Sequence, residues 1–557
     1  LLVGWRSRIY KQAQPLMPSS PNPDPSWLLR VDTGGTFTDG WGLGPGGEEH
    51  RCKVLSSGVL RTRVEECLGE GRFQLASDFG AADGVLRGFL AQGGERVSGW
   101  LSATRVLALD PDPQWRAGDL VELSSGEEAP LLAARLMTST ALDESFPPIE
   151  FRLATTRGTN ALLERKGTAG VLLVTQGFED LLRIRDQRRP ELFALQQALP
   201  LPVFECTIGV RERVSAEGEI LEALDEASLG STLSGLRREG VSVVAVALLN
   251  SYANPVHEER IGELLKEAGI EHISISTRLT RRVRLLPRAE TAAANAYLSP
   301  VMDRFVEAVS SRLAGGTLEL MTSAGFLKRA EDYRAVDSLL SGPAGGVVGA
   351  LAAAQCAGYR RILTFDMGGT STDVARLEGV PSFRYEQAIG PVRVVAPAVQ
   401  IETVAAGGGS ICCWRNGGLE VGPGSAGADP GPACYGGGGP LTITDVNLLL
   451  GCMDAAKAGI PLEVADSRER LDELKAAMMR DGVQVGGERE LLEGLREIAV
   501  ERMAEAIRKV SLREGYDPSE YVLVAFGGAG PQHACAVAEK LGVTEILVPG
   551  DAGLLSA

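Results

Sequence analysis

Short apolar runs that end in polar or glycine-rich turns recur along the chain. Val171–Thr175, Val241–Leu249 and Ile362–Phe365 are short and continuous, the pattern of strands buried on both faces, and Val543–Val548 reads as a further strand. Between them lie stretches with helical spacing: Ser228–Glu239, His257–Ala268, Thr291–Leu313 and most of 455–515. Pro300 is expected to kink or divide the third of these. Arg61–Gly69 and Ala81–Ala91 also read as helical. The short strand-like runs after them, such as Asp119–Leu123, predict a small β-rich insertion over about 60–150. A helix is expected from Ala161, capped by Thr159 or Asn160 and stopped by Gly167. Strands alternating with helices predict an α/β architecture, with mixed or parallel sheets flanked by helices.

One apolar run stands out for the turn at its end. In Arg361–Glu378, RILTFDMGGTSTDVARLE, a strand ends on Asp366, two glycines make a turn, and a second strand begins near Asp373. Adjacent glycines permit a tight turn and close approach of a ligand to the backbone. Exposed N–H groups and hydroxyls at such a turn suit phosphate oxygens. A carboxylate at the strand end suits Mg²⁺. The pattern occurs twice: DTGGTFTD at 32–39 matches DMGGTSTD at 366–373 except at two positions, and the copies start 366 − 32 = 334 residues apart. That spacing excludes a short-period solenoid. It predicts two related halves, each offering one phosphate loop to a shared cleft. A third strand–turn–helix unit, YVLVAFGGAGPQHACAVAE at 521–539, places a glycine turn before a helix N-terminus, a suitable site for a nucleotide's phosphate or ribose.

Composition narrows the class. The chain has 557 residues, of which 44% are hydrophobic and 23% charged, so core formation is assured and several domains are expected. The net charge of −16 argues against a nucleic-acid or anionic-membrane surface. Nine scattered cysteines with no CxxC pair suit reduced thiols of a cytoplasm, and four histidines make a His-rich metal site unexpected. No apolar run reaches transmembrane length, so no membrane partner is expected. Met17 is a plausible start, and the Pro/Ser-rich stretch 15–25 is expected to be disordered. The basic run RIRDQRRP at 183–190 has two readings, a solvated face or anion recognition by arginine.

Neither a P-loop nor a Rossmann fingerprint lies at a strand–helix junction. Paired strand–turn–strand phosphate loops with a late strand–GGxG–helix unit resemble the actin/sugar-kinase/heat-shock ATPase superfamily. The closer resemblance is to the hydantoinase A/5-oxoprolinase family. It rests on DTGGTFTD, TNALLERKG, SGPAGG, FDMGGTSTD, TVAAGGGS, GPGSAGADPGPACY, TDVNLLLG and FGGAGPQHA in this order. It covers Leu28 to Ala557 apart from about 60–150, where this chain is longer than the family pattern.

The resemblance implies two related actin-like (ribonuclease H-like) ATPase lobes plus the β-rich insertion. It divides the chain into a tail at 1–26, an N-terminal lobe at 27–340 and an ATPase lobe at 341–557 whose family pattern continues further. It implies ATP and Mg²⁺ as cofactors and a cyclic amide as substrate, most simply 5-oxo-L-proline opened to L-glutamate through phosphorylation of the carbonyl oxygen. Hydantoinase A-type or acetone-carboxylase-type ATPase subunits are the alternative. A conformational module without small-molecule chemistry is the alternative of another class. A B-type subunit or fused half, an oligomer and a cytoplasmic location are also implied. In this reading Gly34, Gly35, Thr36 and Thr38 hold one set of phosphate oxygens, and Gly368, Gly369, Thr370 and Thr372 another. Asp32 and Asp366 bind Mg²⁺ and contribute to the nucleotide site. Asp39 and Asp373 are candidate bases, with a turn or cap role as their structural alternative. Gly527, Gly528 and Gly530 face the adenosine. His533 reads as a packing residue.

Overall fold

The computed structural model describes residues 11–13, 26–35, 37–189, 193, 195, 201–313, 315–390, 392–427, 430–455 and 462–556. The chain forms two compact units. One comprises 24–342 together with 383–398; the other comprises 1–23, 343–382 and 399–557. The short hairpin Gln387–Ile389/Val392–Val394 thus returns from the later sequence to the first unit.

In the first unit the main sheet begins with three antiparallel strands, Trp27–Thr33, Phe37–Leu43 and Glu49–Leu55. Trp27–Thr33 also pairs in parallel with Ile149–Thr155, which pairs in parallel with Thr317–Met321. The second unit repeats this plan. Arg361–Met367, Thr372–Glu378 and Glu402–Val404 are antiparallel, Arg361–Met367 is parallel to Val522–Phe526, and Val522–Phe526 is parallel to Ile546–Pro549. In both units the strand parallel to the hairpin leads directly into a helix, Arg157–Leu163 or Gly530–Leu541. Lys11–Ala13 extends the second sheet in parallel with Ile546–Pro549. These three residues of the expected tail are therefore a strand, while the rest of 1–25 lies outside the described residues.

The central strands follow from their sequence. Ile362, Leu363, Thr364 and Phe365 are all fully buried. Leu363 and Phe365 pack with the helices Val464–Arg480 and Glu488–Val510. Ile362 packs on the opposite side against Ala344, Val347 and Ala350 of the small-residue helix. A strand covered on both faces has no solvent side, so its sequence is a continuous apolar run. The small residues serve close packing. A Cβ on Gly346 would stand 2.8 Å from Ser556 Oγ and 2.9 Å from the Phe526 ring.

The β-rich insertion is a closed barrel of six strands between Val59 and Ser124. Here the helical expectation fails. Val59–Gly69 is a strand, with Leu60, Thr62 and Val64 buried and the residues between them exposed. That is a period of two, and the charged residues occupy the outer face. Ala81–Ala91 is a series of turns that ends in the short barrel strand Leu90–Ala91, because Gly84 and Gly88 adopt positive φ. The expected start at Ala161 is also corrected. That helix runs Arg157–Leu163 and has no side-chain cap. Pro300 does not divide the long helix, which is continuous over Leu285–Ser310.

A separate parallel sheet of four strands has the order Cys206–Val210, Val171–Thr175, Val243–Ala247 and His272–Ile275. At its carboxyl end Glu258, fully buried, accepts from Leu248 N, Ser251 Oγ, Ser276 Oγ and Thr277 N and Oγ1. Arg288, equally buried, stands 3.5 Å from Glu258 and binds the same two serines. Among the described residues no helix is long and apolar enough to cross a membrane.

Candidate functional site

Each glycine loop is the tip of a hairpin, and both are closed by the same bond. Gly34 N–H donates to Phe37 O at 3.0 Å, and Gly368 N–H donates to Ser371 O at 3.0 Å. The register places Asp32 opposite Asp39, and Asp366 opposite Asp373. Facing residues of neighbouring strands share one face of a sheet, so each loop carries a pair of carboxylates at its base.

In the first hairpin the third strand sets Lys53 opposite Asp39, with Lys53 Nζ 2.7 Å from Asp39 Oδ1. Asp32 Oδ1 is buried and has no hydrogen-bond partner. Burial, reinforced by the Asp39 charge and opposed by Lys53, pushes the Asp32 carboxyl up to about 7. Burial also raises Asp39, against the pull of Lys53. In the second hairpin the equivalent third-strand residue is Thr403, whose hydroxyl donates to Asp373. Burial pushes the Asp373 carboxyl up to about 6, and the Thr403 hydrogen bond lowers it in part.

Gly35, Gly369 and Thr370 are exposed at the two tips. Thr38 and Thr372 are fully buried. The Thr38 hydroxyl lies 3.1 Å from Ser56 Oγ, and Ser56 Oγ donates to Gly34 O at 2.8 Å. Thr372 Oγ1 donates to Ala406 O. These two threonines anchor the loops, and their hydroxyls are engaged in doing so. Thr36 lies outside the described residues.

The TVAAGGGS stretch buttresses the second loop. Gly408 N–H and Gly409 N–H donate to Gly368 O and Gly369 O, at 3.0 and 2.6 Å. A Cβ at Gly407 would stand 2.7 Å from the Gly369 carbonyl, so only glycine fits. The FGGAG turn closes on the same hairpin. Gly527 has φ +79°, and a Cβ there would lie 2.3 Å from Asp366 Oδ1. Ala529 N–H donates to Met367 O at 2.9 Å. Gly530 packs against Phe365 O, whereas nothing lies within 4 Å of a Cβ at Gly528. The structure therefore brings Asp366, Asp373, Gly368, Gly369, Gly527 and Gly530 together in one unit. It gathers Asp32, Asp39, Gly34 and Gly35 in the other.

Behind the FGGAG turn, His533 is buried. Its Nε2 meets Asn447 Nδ2 at 2.9 Å, and the same amide donates to Gln532 Oε1 at 2.9 Å. The TDVNLLLG helix is itself pinned by Asp445, a buried carboxylate. It accepts from Ala433 N, Cys434 N, Thr442 N and Oγ1, and Ser467 Oγ. The GPACY stretch is thus tied to this helix by one side chain.

Other residues were not legible as partners. Lys53 and Thr403 sit on strands whose register the sequence does not reveal. The basic run at 183–190 is partly absorbed in ion pairs: Arg185 binds Glu290 at 2.7 Å and Arg188 lies 3.3 Å from Asp186, while Pro190 lies outside the described residues. Among the described residues no three His, Cys, Asp or Glu side chains gather as a metal cage. A hard cation here would need water and phosphate oxygens to complete its shell, which is how Mg²⁺ is usually held.

The repeated three-strand hairpin sheet, with a parallel strand leading to a helix, defines an actin-like ATPase fold. Comparison with known proteins agrees. Residues 112–269 match the hydantoinase/oxoprolinase N-terminal region, and residues 288–557 match hydantoinase/oxoprolinase. The chain belongs to the hydantoinase/oxoprolinase family. It is 38% identical to 5-oxoprolinase 1 of Arabidopsis thaliana over 444 residues, 73% of this chain and 35% of that one. A crystal structure of the ATP-dependent caprolactamase from Pseudomonas jessenii superposes with a TM-score of 0.68 at 26% identity, covering 95% of this chain and 70% of that one. Nucleotide-free acetone carboxylase gives a TM-score of 0.67 at 22% identity, covering 95% and 69%. The chain thus spans about a third of the length of the 5-oxoprolinase it matches.

Proposed function

We propose that this chain is the ATP-using part of an enzyme that activates and opens a cyclic amide. The observation that carries the reading is the duplicated hairpin, closed by the same bond in both copies and carrying an aspartate pair in the same register. The relatives named 5-oxoprolinase and the neighbour named caprolactamase support the cyclic-amide class. Because these names differ in their ring, they favour a general hydantoinase A-type ATPase subunit over a commitment to 5-oxo-L-proline. An acetone-carboxylase-type subunit is the neighbouring alternative, and it shares the fold.

An unstrained amide resists water because its carbonyl carbon is a poor electrophile. In the proposed reaction the carbonyl oxygen bonds to the γ-phosphorus of ATP while the bond to ADP breaks. Water then adds to the activated carbon, and the C–N bond breaks to free the amine and leave an acyl phosphate. A second water attacks that carbon, so that phosphate leaves with the original carbonyl oxygen and the carboxylate keeps one oxygen from each water. Catalysis of this type rests on positioning and charge neutralisation. The backbone N–H groups at the exposed tips, Gly35 and Gly369, with the Thr370 hydroxyl, would orient phosphate oxygens. Gly527, Gly528 and Gly530 would line the nucleoside side. Asp373, lifted to about 6 by burial, would be ionised at neutral pH yet basic enough to accept a proton from water. Asp39 is the corresponding candidate in the first hairpin. A bound Mg²⁺ would neutralise phosphate charge, with Asp366 as its proposed carboxylate ligand. A B-type partner is part of the proposal.

The test is ATP turnover with 5-oxo-L-proline, hydantoin, caprolactam or acetone, following ADP and ring-opened product by chromatography. The expected result is ADP release that rises with a cyclic amide and is abolished in Asp366→Ala while circular dichroism is unchanged. ATP hydrolysis indifferent to every cyclic amide, in the presence of a B-type partner, would overturn the assignment. Turnover unchanged in Asp366→Ala would reduce that carboxylate to a turn-former.

A further inference from the structure

The two hairpins are equal in backbone and unequal in charge. Across the three strands of the first, the row at the loop base reads Asp32, Asp39, Lys53. Across the second it reads Asp366, Asp373, Thr403. One copy carries its own cation and the other carries a neutral hydroxyl at the same register position. Lys53 lies on the strand Glu49–Leu55, whose next residue, Ser56, bonds to Gly34 O, so the lysine is fixed relative to the glycine tip.

Lys53 also has the exposure a ligand contact needs. Its side chain keeps 55% exposure, its Nζ is 2.7 Å from Asp39 Oδ1, and it stands 4.7 Å from the centroid of the Phe37 ring. Phe37 accepts the closing bond of the loop. A lysine ammonium has three donors, and a single carboxylate oxygen uses one. Two donors remain for oxygens arriving at the tip. Buried Asp32 Oδ1, with no hydrogen-bond partner of its own, adds an acceptor at the same base.

We propose that Lys53 is the resident cation of the first phosphate loop and contacts phosphate oxygens directly, so that a divalent cation is taken by the second loop alone. This rests on the nucleotide-binding reading above and deepens it. Two carboxylates facing a threonine suit a hard dication. The same pair beside an ammonium repels it and suits the anion. The two loops thus differ in what each offers: the first a positive group for phosphate oxygens, the second a seat for a metal.

The alternative role for Lys53 is neutralisation of Asp39 with no ligand contact, and a double variant separates the two. The full chain is tested as wild type, Lys53→Met, Lys53→Met/Asp39→Asn and Thr403→Lys. Thermal melts confirm folding. A fluorescent ATP analogue is titrated with EDTA present, and Mn²⁺ binding is counted by electron paramagnetic resonance in the presence of ADP. Lys53→Met is expected to weaken the metal-free analogue at least tenfold, and the double variant stays weak. Both keep one Mn²⁺ per chain, whereas Thr403→Lys loses Mn²⁺ and keeps the metal-free analogue. Recovery of analogue affinity in the double variant would overturn the proposal, since Lys53 would then only balance Asp39. Mn²⁺ retained in Thr403→Lys would overturn it too. A wild type that binds no ATP analogue would overturn the nucleotide reading itself, and with it this inference. Binding unchanged by Lys53→Met would sink the inference and leave that reading standing.

Discussion

Asn447 Nδ2 lies 2.9 Å from His533 Nε2, and this single contact fixes the state of the imidazole. The amide nitrogen can only donate, so Nε2 accepts and the proton sits on Nδ1, which is buried without a partner. The histidine is therefore neutral. Burial, helped by the Arg496 charge, pulls it from 6.5 down to about 4. The sign of the stability effect is then fixed. Between pH 6.5 and 4 the unfolded chain binds a proton that the folded chain refuses, so this group's contribution is full above 6.5 and is lost as pH falls. Denaturant titrations over that window are expected to give a slope up to about 1.4 kcal/mol per pH unit steeper in wild type than in His533→Asn. Equal slopes would mean that His533 is protonated in the fold.

The glycines of the loops separate into two kinds, and substitution should tell them apart. Gly369 and Gly528 have nothing within 4 Å of the position a methyl group would take, so Gly369→Ala and Gly528→Ala are expected to keep stability within about 0.5 kcal/mol. If these backbones meet nucleotide, each variant binds ATP at least tenfold more weakly. Unchanged ATP affinity in both, by calorimetric titration, would remove them from the site. Gly527→Ala differs, because φ +79° and a contact of 2.3 Å to Asp366 Oδ1 both oppose a side chain. A loss above about 2 kcal/mol is expected there.

Asp445 offers a purely structural prediction. Its two oxygens serve five donors from three segments, the GPACY loop, the start of its own helix and Ser467. Asp445→Ala strands these donors away from water and should cost on the order of 3–5 kcal/mol by chemical denaturation. A loss below about 1 kcal/mol would mean that water replaces the carboxylate.

The buried pair Glu258 and Arg288 makes a similar forecast for the four-stranded sheet. Both side chains are fully buried and share Ser251 and Ser276. Removing one partner, as in Arg288→Met, leaves a buried charge uncompensated and should cost about 3–5 kcal/mol. The double change Glu258→Met/Arg288→Met should recover part of that loss. Additive losses in the double variant would show that the two charges are not coupled.

Sequence alone was enough wherever a short-range pattern carries the structure. Continuous apolar runs located the central strands at 171–175, 243–247 and 362–365, because a strand covered on both faces has no polar side to display. The duplicated DxGGTxTD located both hairpins, because a two-glycine turn after a buried strand leaves little choice of local geometry. The same approach reads Arg61–Gly69 as helix where the strand Val59–Gly69 stands, since only barrel closure gives its alternating residues an inside and an outside. Which residues face each other across strands is decided by the folded sheet. Lys53 is 14 residues from Asp39 and Thr403 is 30 from Asp373, yet register makes them equivalent. Folding also turned Thr38 and Thr372 inward as anchors and rested Gly527 on Asp366. Register and close packing are set by the whole sheet at once, so no local stretch of sequence encodes them.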